Sequence, residues 1–358
     1  MKKIDWYIIQ KFLVTFFFFV IAFVVIAIVI DTAENIDALI ESDARFDQII
    51  LKYYFPLCIH FGNLLSPFLV FIAVIWITSR MAQQTEIVAM LSGGVSFRRL
   101  LVPYMVAGLF VTLLVLIFSH FFVPMASKAK FEFAQEFMQK RTYFEHHTHR
   151  ELAENKHYYF RSIDGRSSTG WDLSIEDWDE GRLVKKLMAH KAVFDTTQNQ
   201  WILTHVKIRT MYADGLERID YMDRVDTTLA VRFDNFGQRD EVVKNMKTPE
   251  LNEYLIKEKM RGSSKVKVIE IERDMRTANA FSIMVLGFIA VATAARKSRR
   301  GLGVHLLAAI IIGLVFLFTS RVSSVSVTNA GIPAYIAVWI PNVVFGLIGL
   351  FIYARAPK

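Results

Sequence analysis

Between Met81 and Phe97 the chain carries one acid, Glu86, and no basic residue. It lies in MAQQTEIVAML, where Ile87, Met90 and Leu91 form an apolar stripe at helical spacing, with Gln83 and Gln84 beside it. An amphipathic helix with one carboxylate suits a groove on a partner protein. A helix lying on lipid headgroups would favour Lys and Arg on its polar face. Gly93-Gly94 follows and reads as a helix end with a left-handed glycine; it is too short for a phosphate loop and no strand precedes it. His146-His147-Thr148-His149 could ligate a metal. No second ligand cluster stands at metal spacing, so the tract reads as a solvated surface run and no metal is expected. No GxxxxGK[ST], HExxH, GxSxG or CxxC occurs, and no carboxylate pair stands out as acid and base. The chain therefore reads as non-enzymatic and without a cofactor of its own.

The elements that must position Glu86 are long and apolar. The 358 residues are 53% hydrophobic and 21% charged, with 30 Phe, and mean hydropathy is +0.33. This is the pattern of an integral membrane protein with one polar domain. The net charge of +8 sits largely beside apolar runs, where membrane topology accounts for it and nucleic acid need not. A single cysteine, Cys58, excludes an intrachain disulfide framework. Spans are expected at 12–30, within 53–78, and at 100–123, 278–295, 302–320 and 332–353. The first has no small-residue cleavage site after it and reads as a retained anchor. An acidic linker, 31–47, follows it, and the helix between spans two and three covers about 80–92. His60, Asn63, Ser66 and Pro67 interrupt span two, which reads as a local kink satisfied by neighbouring helices.

No window between 124 and 277 could cross a membrane. After a polar helix at 128–141 come short alternating runs (HYYFRSI, WDLSIEDWD, RLVKKLMAHKAVFD, WILTHVKIRTMY, LERIDYMD) punctuated by Asp164-Gly165, Glu180-Gly181, Asn199 and Asp214-Gly215. Ile202, Val206 and Ile208 share one face by period two. These runs predict a β-sandwich or jelly-roll. Thr248-Pro-Glu-Leu opens a helix with Thr248 as its cap, and a second helix at 265–276 leads back to the membrane. Short polar loops are expected at the Arg296–Arg300 turn and over 323–331.

Lys2, Lys3, Lys11, Arg80, Arg98, Arg99, the Arg296–Arg300 cluster, Arg355 and Lys358 fall on one side of six spans. Both termini are thus expected in the cytoplasm and the β domain on the far side. The predicted fold is an α-helical membrane protein of six transmembrane helices with an inserted all-β domain. Its divisions are 1–123, 124–277 and 278–358.

This arrangement resembles the LptF/LptG permease family, the membrane subunits of the bacterial lipopolysaccharide exporter. The most specific carrier is TSRMAQQTEIVAMLSGGVSFRRLLVP, 78–103, with further support from TPELNEYL (248–255) and ARKSRRG (295–301). The resemblance implies a periplasmic jelly-roll and a place in the bacterial inner membrane. It implies that 78–103 holds a coupling helix seated on an LptB-like ATPase dimer, with Gln83, Glu86, Ile87, Met90 and Leu91 at the contact. ATP and Mg would be bound by that ATPase. A second LptF/LptG-like permease would pair with this one, and lipopolysaccharide would pass on to LptC-like and LptA-like proteins. Spans one and five would form lateral gates. Phe16, Phe19 and Phe23 would then line an acyl-chain cavity, or face lipid as bulk. Arg321 would meet a phosphate, or snorkel to the interface. Asp31, Glu34 and Asp37 stand where basic groups would be expected, and Ala280 where a proline would be.

Two rivals remain. Another kind of ABC permease would have its large domain between spans one and two, which the central domain argues against. A membrane-anchored scaffold or sensor would bind an envelope ligand through the β domain and would not need the loop helix.

Overall fold

The computed structural model describes residues 2–42, 44–138, 144–153, 155–164, 167–179, 181–195, 200–212, 215–229, 240–260, 263, 265–294 and 302–355. For 144–153, 240–241, 302 and 304–305 the backbone alone is described. The expected turn at Arg296, Lys297, Arg299 and Arg300, and the hairpin residues Gly165, Glu180, Asn199 and Asp214, lie outside the described residues. The chain forms two compact units: Met1–Phe133 with Lys244–Leu255 and Lys265–Lys358, and Ala134–Val243 with Ile256–Ser264. Three of the four boundaries, at 133/134, 243/244 and 255/256, fall inside helices.

In the first unit α1 is Lys3–Ile40, α2 Phe46–Gln83 and α3 the short helix Glu86–Ser92. α4 is Phe97–Phe137. After the β domain come α5 (Asp240–Asn245), α6 (Thr248–Met260), α7 (Val266–Ala294), α8 (Leu302–Asn329), α9 (Ala334–Ala337) and α10 (Ile340–Ala354). Among the described residues six stretches are long and apolar enough to span a membrane: α1, α2, α4, α7, Leu306–Asn329 of α8, and Ala334–Ala354 across α9 and α10.

Most spans outrun their apolar cores. α1 has 38 residues, about 57 Å at 1.5 Å per residue, against roughly 30 Å of hydrocarbon. The stretch read as an acidic linker is helical to Ile40. Thr32 Oγ1 donates to the Ile28 carbonyl (2.7 Å) and Asn35 Nδ2 to that of Asp31 (2.8 Å), so its polar side chains bond along the helix instead of breaking it. The polar run 323–329 likewise continues α8, and no break occurs at Ala280, which is buried inside α7. α2 and α4 each contain a π-helical turn, Ile49–Tyr54 and Phe118–Phe122. Thr248 does not cap α6: the Lys247 N–H bonds Glu250 (3.2 Å). The Thr248 hydroxyl is instead shared with His120 (2.7 Å) and Arg276 (3.3 Å).

α2, α4 and α7 are the inner helices, with half or more of the residues in their apolar windows buried; α1 is the outermost, at 6%. Between helices in lipid, close fit replaces hydrophobic drive, so small residues sit at the crossings. A Cβ on Gly313 of α8 would lie 2.5 Å from the Phe68 ring of α2, and one on Gly349 of α10 2.8 Å from Ile289 of α7. One buried amide adds to this: Asn342 Nδ2 donates to the Ala278 carbonyl and its Oδ1 accepts from Ser282 Oγ, both at 2.8 Å.

The second unit holds six antiparallel strands in sequence order. They are β1 (Phe144–Ala153), β2 (Lys156–Asp164), β3 (Thr169–Asp179), β4 (Arg182–Asp195), β5 (Gln200–Met211) and β6 (Glu217–Thr227). As described they run as a meander. The alternation changes phase in mid-sheet. Core residues step by three from Phe160 to Ile163, Ala189 to Ala192 and Leu203 to Val206. The cause is a row of residues passed over by the pairing: His147, Arg161, Asp172, His190, His205 and Asp223, one on each of the six strands. Asp172 and His205 take positive φ, 49° and 52°. Because every strand carries the extra residue, register survives while the faces exchange. This overturns the expected shared face of Ile202, Val206 and Ile208: Trp201 and Leu203 join Val206 and Ile208 in the core, and Ile202 does not.

Two glycine tests follow from these fits. In α10, Gly346→Ala meets open space and should hold or raise the thermal midpoint in detergent. Gly349→Ala should lower stability by about 1–3 kcal/mol. In the sheet, a Cβ on Gly170 would lie 2.3 Å from the Phe160 ring. Gly170→Val should therefore open the domain to protease, and adding Phe160→Leu should partly restore resistance.

Candidate functional site

The stretch singled out by Glu86 is built from two turns and a short helix. α2 ends at Gln83, and Thr85 takes φ 60° to redirect the chain into α3. α3 closes on Gly94, at φ 86°, where the N–H groups of Gly94 and Val95 bond the carbonyls of Leu91 (3.1 Å) and Met90 (3.1 Å). Left-handed glycine there is what the Gly93-Gly94 pair predicts. Ser96 then starts α4, its Oγ accepting from the Arg99 N–H at 3.3 Å.

The apolar stripe faces inward. Ile87 is buried in the membrane unit's core, and Met90 and Leu91 are half-buried against it. These three are therefore spent on this chain's own helices, in contrast to the expected outward stripe. The outward face is Gln83, Gln84, Thr85, Val88, Ala89 and Ser92. A helix's apolar side is legible in sequence, but whether it meets its own bundle or a partner is not.

Glu86 is not a lone carboxylate. It accepts from Tyr7 Oη at 3.2 and 3.3 Å and from Lys11 Nζ at 3.4 Å, both on α1. Lys11 also stands 4.1 Å over the Tyr7 ring. Seven residues beyond α3, in the first turn of α4, Arg99 Nη2 reaches Asp5 Oδ2 of α1 at 2.5 Å, and the Lys2 N–H donates to the same oxygen at 2.7 Å. Asp5, Tyr7, Lys11 and Arg99 were not legible as site residues, since each pair is separated by 75 residues or more. Their one sequence signal is opposite charge at the ends of neighbouring spans. Phe97 stacks on Tyr353 (5.9 Å), so the start of α1, the loop and the end of α10 share one end of the bundle.

On α1, Phe16 is buried and Phe19 and Phe23 are half-buried, with Phe19 edge-on to Trp76 of α2 at 6.3 Å. Phe16 thus fills the subunit's interior and does not line an open cavity. The outward stripe is Val14, Phe17, Phe18, Ile21 and Val25. Arg321 is exposed on α8, with two further turns of helix beyond it. At the other end of α1, Asp31 accepts from Tyr53 Oη (2.7 Å) and Lys130 Nζ (3.2 Å), so this acid is neutralised within the chain. Thr32 Oγ1 and Tyr54 Oη lie 2.7 Å apart beside it. Among the described residues no group of three or more His, Cys, Asp and Glu could hold a metal ion.

A search of curated proteins finds no match. A family model described as "Lipopolysaccharide export system permease LptF/LptG" matches residues 6–355, nearly the whole chain. Six membrane-crossing stretches around a central β domain, with one polar-clasped loop between the second and third, therefore belong to a member of the LptF/LptG family of lipopolysaccharide export permeases.

Proposed function

We propose that this multi-pass protein extracts lipopolysaccharide from the bacterial inner membrane, driven by a separate LptB-like ATPase dimer that docks on the 84–96 loop. The family match over 6–355 carries this reading. The chain contributes the membrane path and the docking loop; ATP and Mg belong to the partner. A second LptF/LptG-like permease pairs with it. The β domain lies in the periplasm and hands substrate to LptC-like and LptA-like proteins. Both termini are cytoplasmic, which the clustering of Lys2, Lys3, Lys11, Arg80, Arg98, Arg99 and Arg355 supports.

The outward face of α3 makes the docking testable at two kinds of position. Val88 is exposed and available to a partner, and Glu86 keeps part of its side chain in solvent. On α1, the Phe17, Phe18, Ile21 and Val25 stripe, rather than Phe16, is the surface offered to acyl chains. Arg321 on α8 is placed to meet a headgroup phosphate as a charge-assisted donor.

Purification from native membranes through a tag on this chain should recover a P-loop ATPase and a second six-span permease. Val88→Arg and Glu86→Lys should each reduce ATPase recovery at least tenfold, about 1.4 kcal/mol of binding, with the chain still inserted. Recovery of neither partner by the unaltered chain would favour a scaffold or sensor instead.

A further inference from the structure

Three contacts bind the cytoplasmic end of α1 to the loop that follows α2. Tyr7 and Lys11 hold Glu86 at the start of α3, and Asp5 holds Arg99 at the start of α4. Both ends of the loop are thus fastened to one helix, with Ile8 and Phe12 buried in the core on the same stretch of α1. Farther along, α1 is the least buried of the six spans, with 6% of the residues in its apolar window buried. Its outer end is held again, by Tyr53 and Lys130 on Asp31. The helix is therefore held by polar contacts at Asp5–Lys11 and at Asp31, and between them it packs along one side, through Phe16, Phe19 and Phe23. Where helices meet in lipid without hydrophobic drive, such polar ends carry a large share of what fixes a helix's position.

Building on the proposed docking of an ATPase at the loop, we infer that Asp5, Tyr7 and Lys11 form a polar handle through which displacement of the 84–99 loop moves α1. The Glu86 carboxylate is the pivot. It has more acceptor sites than Tyr7 and Lys11 occupy, and about a quarter of its side chain stays exposed, 28%. It can therefore stay on the handle while the exposed Val88 face is engaged. Apolar contact through Ile87 alone would let α3 slide along the bundle; directional bonds to Tyr7 and Lys11 tie it to α1 in particular. The Asp5–Arg99 pair gives the loop a second, independent hold on the same helix. Loop motion is then transmitted to the outermost span as well as to α2 and α4, which the chain itself joins to the loop.

The test uses the complex recovered by the tagged full chain, in nanodiscs, with spin labels at Ala33→Cys of α1 and Tyr335→Cys of α9 in a Cys58→Ser background. Both label positions are exposed. The unaltered handle should give a change in the label separation on adding ATP and vanadate. Tyr7→Phe/Lys11→Met should cut that change by more than half while ATPase recovery and hydrolysis persist, and Tyr7→Phe/Lys11→Arg should restore most of it. Asp5→Asn added to Tyr7→Phe/Lys11→Met should abolish it. An undiminished change in both variants overturns the handle while leaving the docking intact. An unaltered complex that contains no ATPase overturns the docking, and the handle with it.

Discussion

In hydrocarbon a leucine gains nothing by leaving lipid for a neighbouring helix, so fit and a few polar bonds decide where the helices of this protein sit. That constraint explains why glycine marks the tightest crossings. Gly313 lies under Phe68 and Gly349 against Ile289 and Phe288, places where a methyl group would push two helices apart. It also explains the buried amide of Asn342, whose donor and acceptor are both met on α7, by Ala278 and Ser282. An unmet amide there would be costly, so the site admits one arrangement of α10 on α7.

The same constraint gives α1 its character. With few of its residues fully buried, it draws on Asp5, Tyr7 and Lys11 near one end and on Asp31 toward the other. Asp31 illustrates how context decides what an acid is for. In sequence it belongs to an acidic run where the resemblance leads one to expect basic groups; in the fold Lys130 and Tyr53 occupy it. Glu34 and Asp37 remain exposed on that helix.

The six spans and the inserted β domain were legible because hydropathy over about twenty residues and period-two alternation are strong local signals. Helix ends were not. Polar residues of 31–40 and 323–329 resemble linkers, yet an established helix continues through them, since stopping would strand backbone groups that their own side chains can instead satisfy. Ile202 was misplaced because a passed-over row, centred on Asp172 and His205, exchanges the faces of all the strands it crosses. No single strand's pattern reveals that. The loop's amphipathic helix was found and its facing was not: Ile87 turned inward because α3 has its own bundle to cover. Tyr7 and Lys11, far from Glu86 in the chain, could be joined to it only by the fold.

Contact between this chain and lipopolysaccharide during ATP turnover tests the account most directly. A photo-crosslinking residue placed at exposed Phe18, in the complex in its native membrane, should capture lipopolysaccharide, with the yield changing when ATP is supplied. The same residue at buried Phe16 should capture none. Adducts at neither position, or equal ATP-independent adducts at both, would contradict a role for α1 in moving this lipid.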